Sequence, residues 1–182
     1  MRLFIAIDFP DEIIKEVSRV EEEISKLKFI GKVTELENLH LTLKFLGEVD
    51  EIKFEKIKKK LEEIKFEKIK ARLDHLGTFS YNGNPRIVWS KISGEGIWKL
   101  QSEIDRVLDG LFNREERFMS HLTLARVKYV KDKVKFKDDI NKLSIKKIEF
   151  EIGNFKLMKS ELHPLGPNYE CLGEYKLGQD RN

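Results

Sequence analysis

Hydrophobic positions along the chain keep two rhythms. Ile13, Ile14, Val17, Val20, Ile24 and Leu27 recur at helical spacing, so 11–28 is predicted as an amphipathic helix, opened by Pro10 and ended before Gly31. Ile57, Leu61 and Ile64 mark a second helix over 51–64. Ile97, Leu100, Ile104, Val107, Leu108 and Leu111 mark a third over 95–111. A polar helix is expected at 131–142. Between them short apolar segments, alternating with period two at 39–46 and 67–76, predict strands at 2–8, 32–36, 39–46, 67–76, 86–92, 117–128, 145–151, 154–162 and 169–176. YNGNP at 81–85 and HPLGP at 163–167 carry turn chemistry. The tail, GQDRN, has nothing to pack against and is expected to fray.

Helices and strands alternate, and several strands have one apolar face. This favours an α+β fold with antiparallel sheets over an all-parallel sheet. Each half of the sequence offers an amphipathic helix followed by a strand that spells His-Leu-Thr-Leu, at 40–43 and at 121–124. The simplest architecture is one bilobal domain over 1–182: two pseudo-symmetric lobes, helices outside, one motif in each lobe and a central cleft between them.

On a strand, Leu41 and Leu43 turn to one face and His40 and Thr42 to the other, roughly 6–7 Å apart. Leu122, Leu124, His121 and Thr123 divide the same way. Facing strands would line one cleft with two imidazoles and two hydroxyls. That set suits a phosphodiester. A neutral imidazole takes a proton from the attacking group and an imidazolium gives one to the departing oxygen, while hydroxyls donate to the phosphate oxygens. A single such strand would be read as half-buried structure with an incidental histidine; two copies in corresponding halves favour function. Metal ligation by the histidines is the weaker alternative, since there is no HExxH and no Cys-His cluster. GxSxG and GxxxxGK[ST] are also missing.

Composition narrows the classes further. The 182 residues are 37% charged, yet the net charge is only +3 and the glutamines number two. This Lys/Glu-rich, amide-poor make-up resembles thermophile proteins. The single Cys171 excludes an internal disulfide and is compatible with the cytoplasm, the expected location. No apolar run reaches about 18 residues, so no membrane span is expected, and the N-terminal run stops at Asp8, too soon for a signal peptide.

The paired motifs, together with RLFIAIDFP, NLHLTLKFLGEV, LGTF, PRIVW, HLTLAR and LMKSELHPLGPNYE, resemble the RNA 2′,3′-cyclic phosphodiesterases, or 2′-5′ RNA ligases, of the two-histidine phosphoesterase superfamily. The resemblance implies metal-independent hydrolysis of an RNA 2′,3′-cyclic phosphate to a 2′-phosphate, without a cofactor. It gives His40 the role of proton donor and His121 that of proton acceptor, with Thr42, Thr123 and Arg126 holding the phosphate. It also implies a weaker, reversible joining of such an end to a 5′-hydroxyl. The implied partner is RNA with a cyclic phosphate end, tRNA fragments being one source, and the implied state is a monomer. Two alternatives stay open: an RNA-binding module of the same fold without turnover, and a phosphoesterase for another cyclic phosphate or a 2′-5′ linkage.

Parity leaves two residues awkward. On an ideal strand Arg126 and Phe45 point with the leucines, so Arg126 reaches the cleft only if the strand is bulged or ending, or if the side chain curls round the edge. Phe45 is either a base-stacking contact or core. Arg86 is a further candidate for the groove. His75 is read as structural, His163 as exposed in its turn, Trp89 and Trp98 as core, and Cys171 as a half-buried strand residue.

Overall fold

The computed structural model describes residues 1–164 and 166–178. The expected tail beyond Gly178, and Leu165 of the expected HPLGP turn, lie outside them. The elements run β1 (Arg2–Ile7), α1 (Asp11–Ser25), β2 (Ile30–Val33), a single 3₁₀ turn (Leu36–Asn38), β3 (Leu41–Glu48), α2 (Glu51–Glu62), β4 (Ile69–Tyr81) and β5 (Asn84–Ser93). There follow α3 (Glu95–Val107), β6 (His121–Tyr129), α4 (Lys133–Lys142), β7 (Glu149–Ile152), β8 (Asn154–His163) and β9 (Gly166–Lys176). Four helices and two antiparallel sheets result, an α+β fold as expected.

The sheets do not follow the halves of the sequence. One has the order β3-β1-β8-β9 and the other β2-β6-β5-β4-β7. The first therefore joins the beginning of the chain to its end, while the second is built from the middle together with β2. Each sheet still holds one motif strand, β3 or β6, and these two strands pack against each other. Thr34, just past β2, ties in there, its backbone amide donating to the Leu124 carbonyl (2.8 Å) and its hydroxyl to the Thr123 carbonyl (2.9 Å).

Helix positions follow from local chemistry. Asp50 caps α2 by accepting from the Lys53 amide (2.8 Å), and Asp132 caps α4 by accepting from the Lys135 amide (2.9 Å). The apolar faces of α1, α2 and α3 are buried through Ile13, Val17, Val20, Ile24, Ile57, Leu61, Ile97, Leu100 and Ile104. They join Leu3, Ile5, Ile7, Leu41, Leu43, Leu122 and Leu124 in a single core. Helices α1 and α3 stop at Ser25 and Val107, short of the expected ends at 28 and 111. The expected strand at 32–36 is a strand only to Val33.

LGTF is not a turn. It lies inside β4, which runs five residues beyond its expected end, and the turn comes at Asn82 and Gly83 (φ 48° and 75°). Both residues there have positive φ, the signature of a two-residue hairpin. Gly77 is required within the strand, because a Cβ there would sit 2.4 Å from the Trp89 ring. Trp89 is buried as expected, whereas Trp98 is 60% exposed, on the outer side of α3 away from Ile97 and Leu100. Cys171 is exposed rather than half-buried. No helix among the described residues is long and apolar enough to cross a membrane.

One buried acid makes stability depend on pH. Glu21 of α1 is buried and its Oε1 has no hydrogen-bond partner. Burial pushes its carboxyl up to about 8, against a hydrogen bond from the Thr34 backbone and with the charge of Glu35 adding to the rise. Between its ordinary value of 4.5 and about 8, the folded chain keeps a proton that the unfolded chain has lost. Stability therefore falls as pH rises through that window, by up to ~1.4 kcal/mol per pH unit, and levels off above it. Glu21→Gln is expected to flatten this slope, read as urea midpoints measured from pH 5 to pH 8.

Candidate active site

His40 stands one residue before β3 and His121 is the first residue of β6. The two are held alike. Nδ1 of His40 lies 2.7 Å from the Asn38 carbonyl, and Nδ1 of His121 lies 2.7 Å from the Met119 carbonyl. A carbonyl can only accept, so Nδ1 carries the proton in both rings. Nε2 is left as the working nitrogen on each, able to take a proton when the ring is neutral and to give one when it is charged.

Aromatic rings fix each imidazole further. His40 meets Phe4 at 5.0 Å between centroids and the edge of Tyr169 at 5.2 Å. Phe4 and Tyr169 also pack on each other at 5.1 Å. His121 meets Phe79 edge-on at 5.1 Å, and Phe79 leans on Trp89 at 5.2 Å. Gly77 thus matters to the site, because it makes room for the tryptophan that backs Phe79.

The parity problem is resolved by a matched pair of bulges. Along β1 and β3, Ala6 pairs Thr42 and Ile5 pairs Lys44, which leaves Leu43 as an extra residue. Along β5 and β6, Trp89 pairs Thr123 and Val88 pairs Ala125, which leaves Leu124 as an extra residue. Each bulge puts two consecutive side chains inward, Leu43 with Lys44 and Leu124 with Ala125, all of them buried. The next residue then returns to the face of the motif. Phe45 consequently joins His40 and Thr42, and Arg126 joins His121 and Thr123. Phe45 is not core: it is 69% exposed and lies 6.3 Å from Phe4.

Lys44, turned into the interior by its bulge, is neutralised there. It forms an ion pair with Asp105 of α3 and donates to the Asn113 carbonyl (2.7 Å). Burial alone would raise the Asp105 carboxyl. The bonds from Lys44, the Glu115 amide and Gln101 together hold it below its ordinary value.

Charges converge on the histidines. Burial pushes His40 below its ordinary value; the Asn38 carbonyl and Asp8 oppose the shift, and Arg126 and His121 add to it. Burial also pushes His121 down, opposed by the Met119 carbonyl and reinforced by Lys91 and Arg126. The same Arg126 acts on Tyr169, whose hydroxyl burial pushes up. One guanidinium therefore stands within electrostatic reach of both imidazoles. The hydroxyls of Thr42 and Thr123 form no hydrogen bond among the described residues, and both residues are half-buried on this face.

Arg86 is placed differently. Its guanidinium donates to the Lys128 carbonyl (2.9 Å) on the neighbouring strand. His75 leans on Trp89 at 5.8 Å, and His163 is exposed at the end of β8.

The family model described as LigT like Phosphoesterase matches residues 7–89 and 93–169. The chain belongs to this family. Its class is thus that of a phosphoesterase, and both motif strands fall within the matched segments. An RNA 2′,3′-cyclic phosphodiesterase of Methanocaldococcus jannaschii is 42% identical over 96% of this chain and 100% of its own length. One of Thermotoga maritima is 36% identical over 96% of this chain and 94% of its own. Among solved LigT-like folds, a protein of Thermus thermophilus superposes with a TM-score of 0.82 at 26% identity, covering 100% of both chains. LigT of E. coli, complexed with 3′-AMP, gives 0.74 at 26% identity over 98% of both chains.

The residues that sequence reasoning missed are those that hold the motifs in place. Tyr169 arrives from β9 at the far end of the chain, Phe4 from β1 and Phe79 from β4. Alternation alone does not show which strands become neighbours. The bulges leave no clear trace in the apolar pattern: Phe45 keeps the step at two after Leu43, and Ala125 directly follows Leu124.

Proposed function

We propose that the protein hydrolyses RNA 2′,3′-cyclic phosphates to 2′-phosphates by paired general acid and base catalysis, with His40 as acid and His121 as base. The observation that carries this reading is the matched anchoring of both imidazoles through Nδ1, with Arg126 acting on both. His121 Nε2 takes a proton from water as the water oxygen attacks phosphorus. The P–O3′ bond breaks, and His40 Nε2 gives its proton to O3′. The product carries a 2′-phosphate and a free 3′-hydroxyl, and the two rings exchange protons with solvent to reset. Thr42 and Thr123 donate to the non-bridging oxygens and Arg126 offsets their charge.

The same geometry accepts a 5′-hydroxyl in place of water, which yields a 2′-5′ linkage and is reversible. Phe45 offers its exposed ring to a base. The names of the curated relatives and the 3′-AMP complex of E. coli LigT support a nucleotide substrate. Among the described residues no three His, Cys, Asp or Glu side chains gather as a metal-ligand set, and the reading assigns no step to a metal.

The decisive experiment follows a short RNA ending in a 2′,3′-cyclic phosphate, with chelator present, and identifies the product isomer. A 2′-phosphate is expected. Activity lost to chelator and restored by one divalent metal would defeat the acid–base scheme. In the pH profile, His121 must be neutral on the acid side and His40 charged on the alkaline side. Both are shifted down, so both limbs of kcat/KM move down and its optimum is expected below the ordinary histidine value of 6.5. Bound phosphate favours the charged imidazoles, so the kcat profile lies at higher pH than that of kcat/KM. A kcat/KM optimum above pH 7 would contradict the assignment.

A further inference from the structure

A recess of about 270 Å³ opens beside His40. Much of its wall is apolar or aromatic, with Phe9 just before α1, Ile14 in its first turn, Leu36 and Leu39, Met158 of β8, and Tyr169. His40 itself forms part of the lining. Tyr169 therefore serves two surfaces at once, one against the His40 ring and one against this space. The volume lies near the lower limit of small-ligand cavities, about 300 Å³, and suits a planar ring better than a whole nucleotide.

We propose that this recess holds the base of the nucleotide bearing the cyclic phosphate, and that it favours bases with an exocyclic amino group. The inference rests on the hydrolase reading, in which O3′ departs toward His40. The ribose hangs from phosphorus through O2′ and O3′. A ligand that presents O3′ to His40 must therefore carry its sugar and base on the His40 side of the cleft, where the recess lies.

The polar groups at the recess set the preference. Glu37 is exposed and its carboxylate has no ion-pair or hydrogen-bond partner among the described residues. Asp8 has one oxygen, Oδ2, engaged by Lys156. The Asn38 side-chain amide is spent on the Pro167 carbonyl (3.2 Å). The carboxylates of Glu37 and Asp8 thus offer a ligand acceptors, and the Tyr169 hydroxyl can donate or accept. Carboxylates beside an anion site repel the anion unless the ligand brings them a donor. Adenine, cytosine and guanine each bring an amino group, whereas uracil presents carbonyl oxygens on either side of its one ring N–H.

The test is steady-state kinetics on the four nucleoside 2′,3′-cyclic phosphates and on the abasic methyl riboside 2′,3′-cyclic phosphate. Wild-type kcat/KM is expected to be about tenfold or more higher for adenosine, cytidine and guanosine than for uridine. Leu36 is 40% exposed, so Leu36→Trp fills the recess from its rim rather than from the core. In that variant the kcat/KM ratio of each amino-bearing substrate to the abasic one is expected to fall about tenfold or more. A change in the catalytic groups would move both substrates together and leave that ratio alone. Glu37→Gln is expected to bring uridine toward parity. An unchanged ratio in Leu36→Trp overturns the base pocket, and wild-type parity for uridine overturns its preference. Turnover of none of the five substrates by the wild type would overturn the hydrolase reading itself.

Discussion

Replacing His40 by alanine is expected to lower kcat for cyclic-phosphate hydrolysis by about 10²–10⁴-fold while RNA binding is largely retained. His121→Ala is expected to do the same. In the proposed mechanism each ring contributes a proton transfer through Nε2, and the phosphate contacts proposed for Thr42, Thr123 and Arg126 remain in either variant. The double variant should fall well short of the product of the two single losses, because the acid and the base work as one unit. Single-turnover rates and RNA affinities measured side by side check this. Full turnover in either single variant, with binding intact, would return the cleft to the status of a binding surface. Both rings are half-buried, so thermal unfolding of each variant must accompany the kinetics.

The second large effect concerns stability. Lys44→Met alone or Asp105→Leu alone leaves one buried charge without its partner, and each is expected to cost about 3–5 kcal/mol. For a chain of this size that is a drop in Tm of roughly 6–20 °C. The double replacement removes both charges and should recover much of the loss, since two apolar groups of similar volume need no desolvated charge. Asp105 also accepts from the Glu115 amide (2.9 Å) and from Gln101 (2.8 Å), so its removal frees more groups than that of Lys44. Asp105→Leu should therefore be the worse of the two. Thermal melts of the three variants decide the order.

Much of this molecule was legible because its code is local. Short apolar segments located all nine strands, the helical period located three helices and polar composition the fourth, and Asp50 and Asp132 cap helices close to the expected starts. Strand geometry alone turns His40 with Thr42, and His121 with Thr123, away from the leucines of each motif, and in both strands those leucines are buried while the His and Thr are half-buried. Partnership between distant segments was not legible. Nothing in RLFIAI says that β1 sits between β3 and β8, which is why the sheets were expected to divide by sequence halves. Lys44 and Asp105 belong to segments that periodicity treats separately, so their pairing was invisible as well. The carbonyl anchors of His40 and His121 depend on the backbone path two residues upstream, which no side-chain pattern records. Arg126 is singled out only through resemblance, and the bulge that turns it to the motif face is not legible in the sequence.

The matched bulges have a consequence for direction. Two imidazoles held alike on two like strands are nearly equivalent: exchange the strands and each ring takes the place of the other. The residue after each bulge removes that equivalence. One wall presents the uncharged ring of Phe45, the other the fixed positive charge of Arg126. A substrate with a flat, uncharged end and a negative end meets a cleft with a front and a back, and its two orientations differ in energy. The scaffold supplies a symmetric machine, and one side chain on each strand gives it polarity.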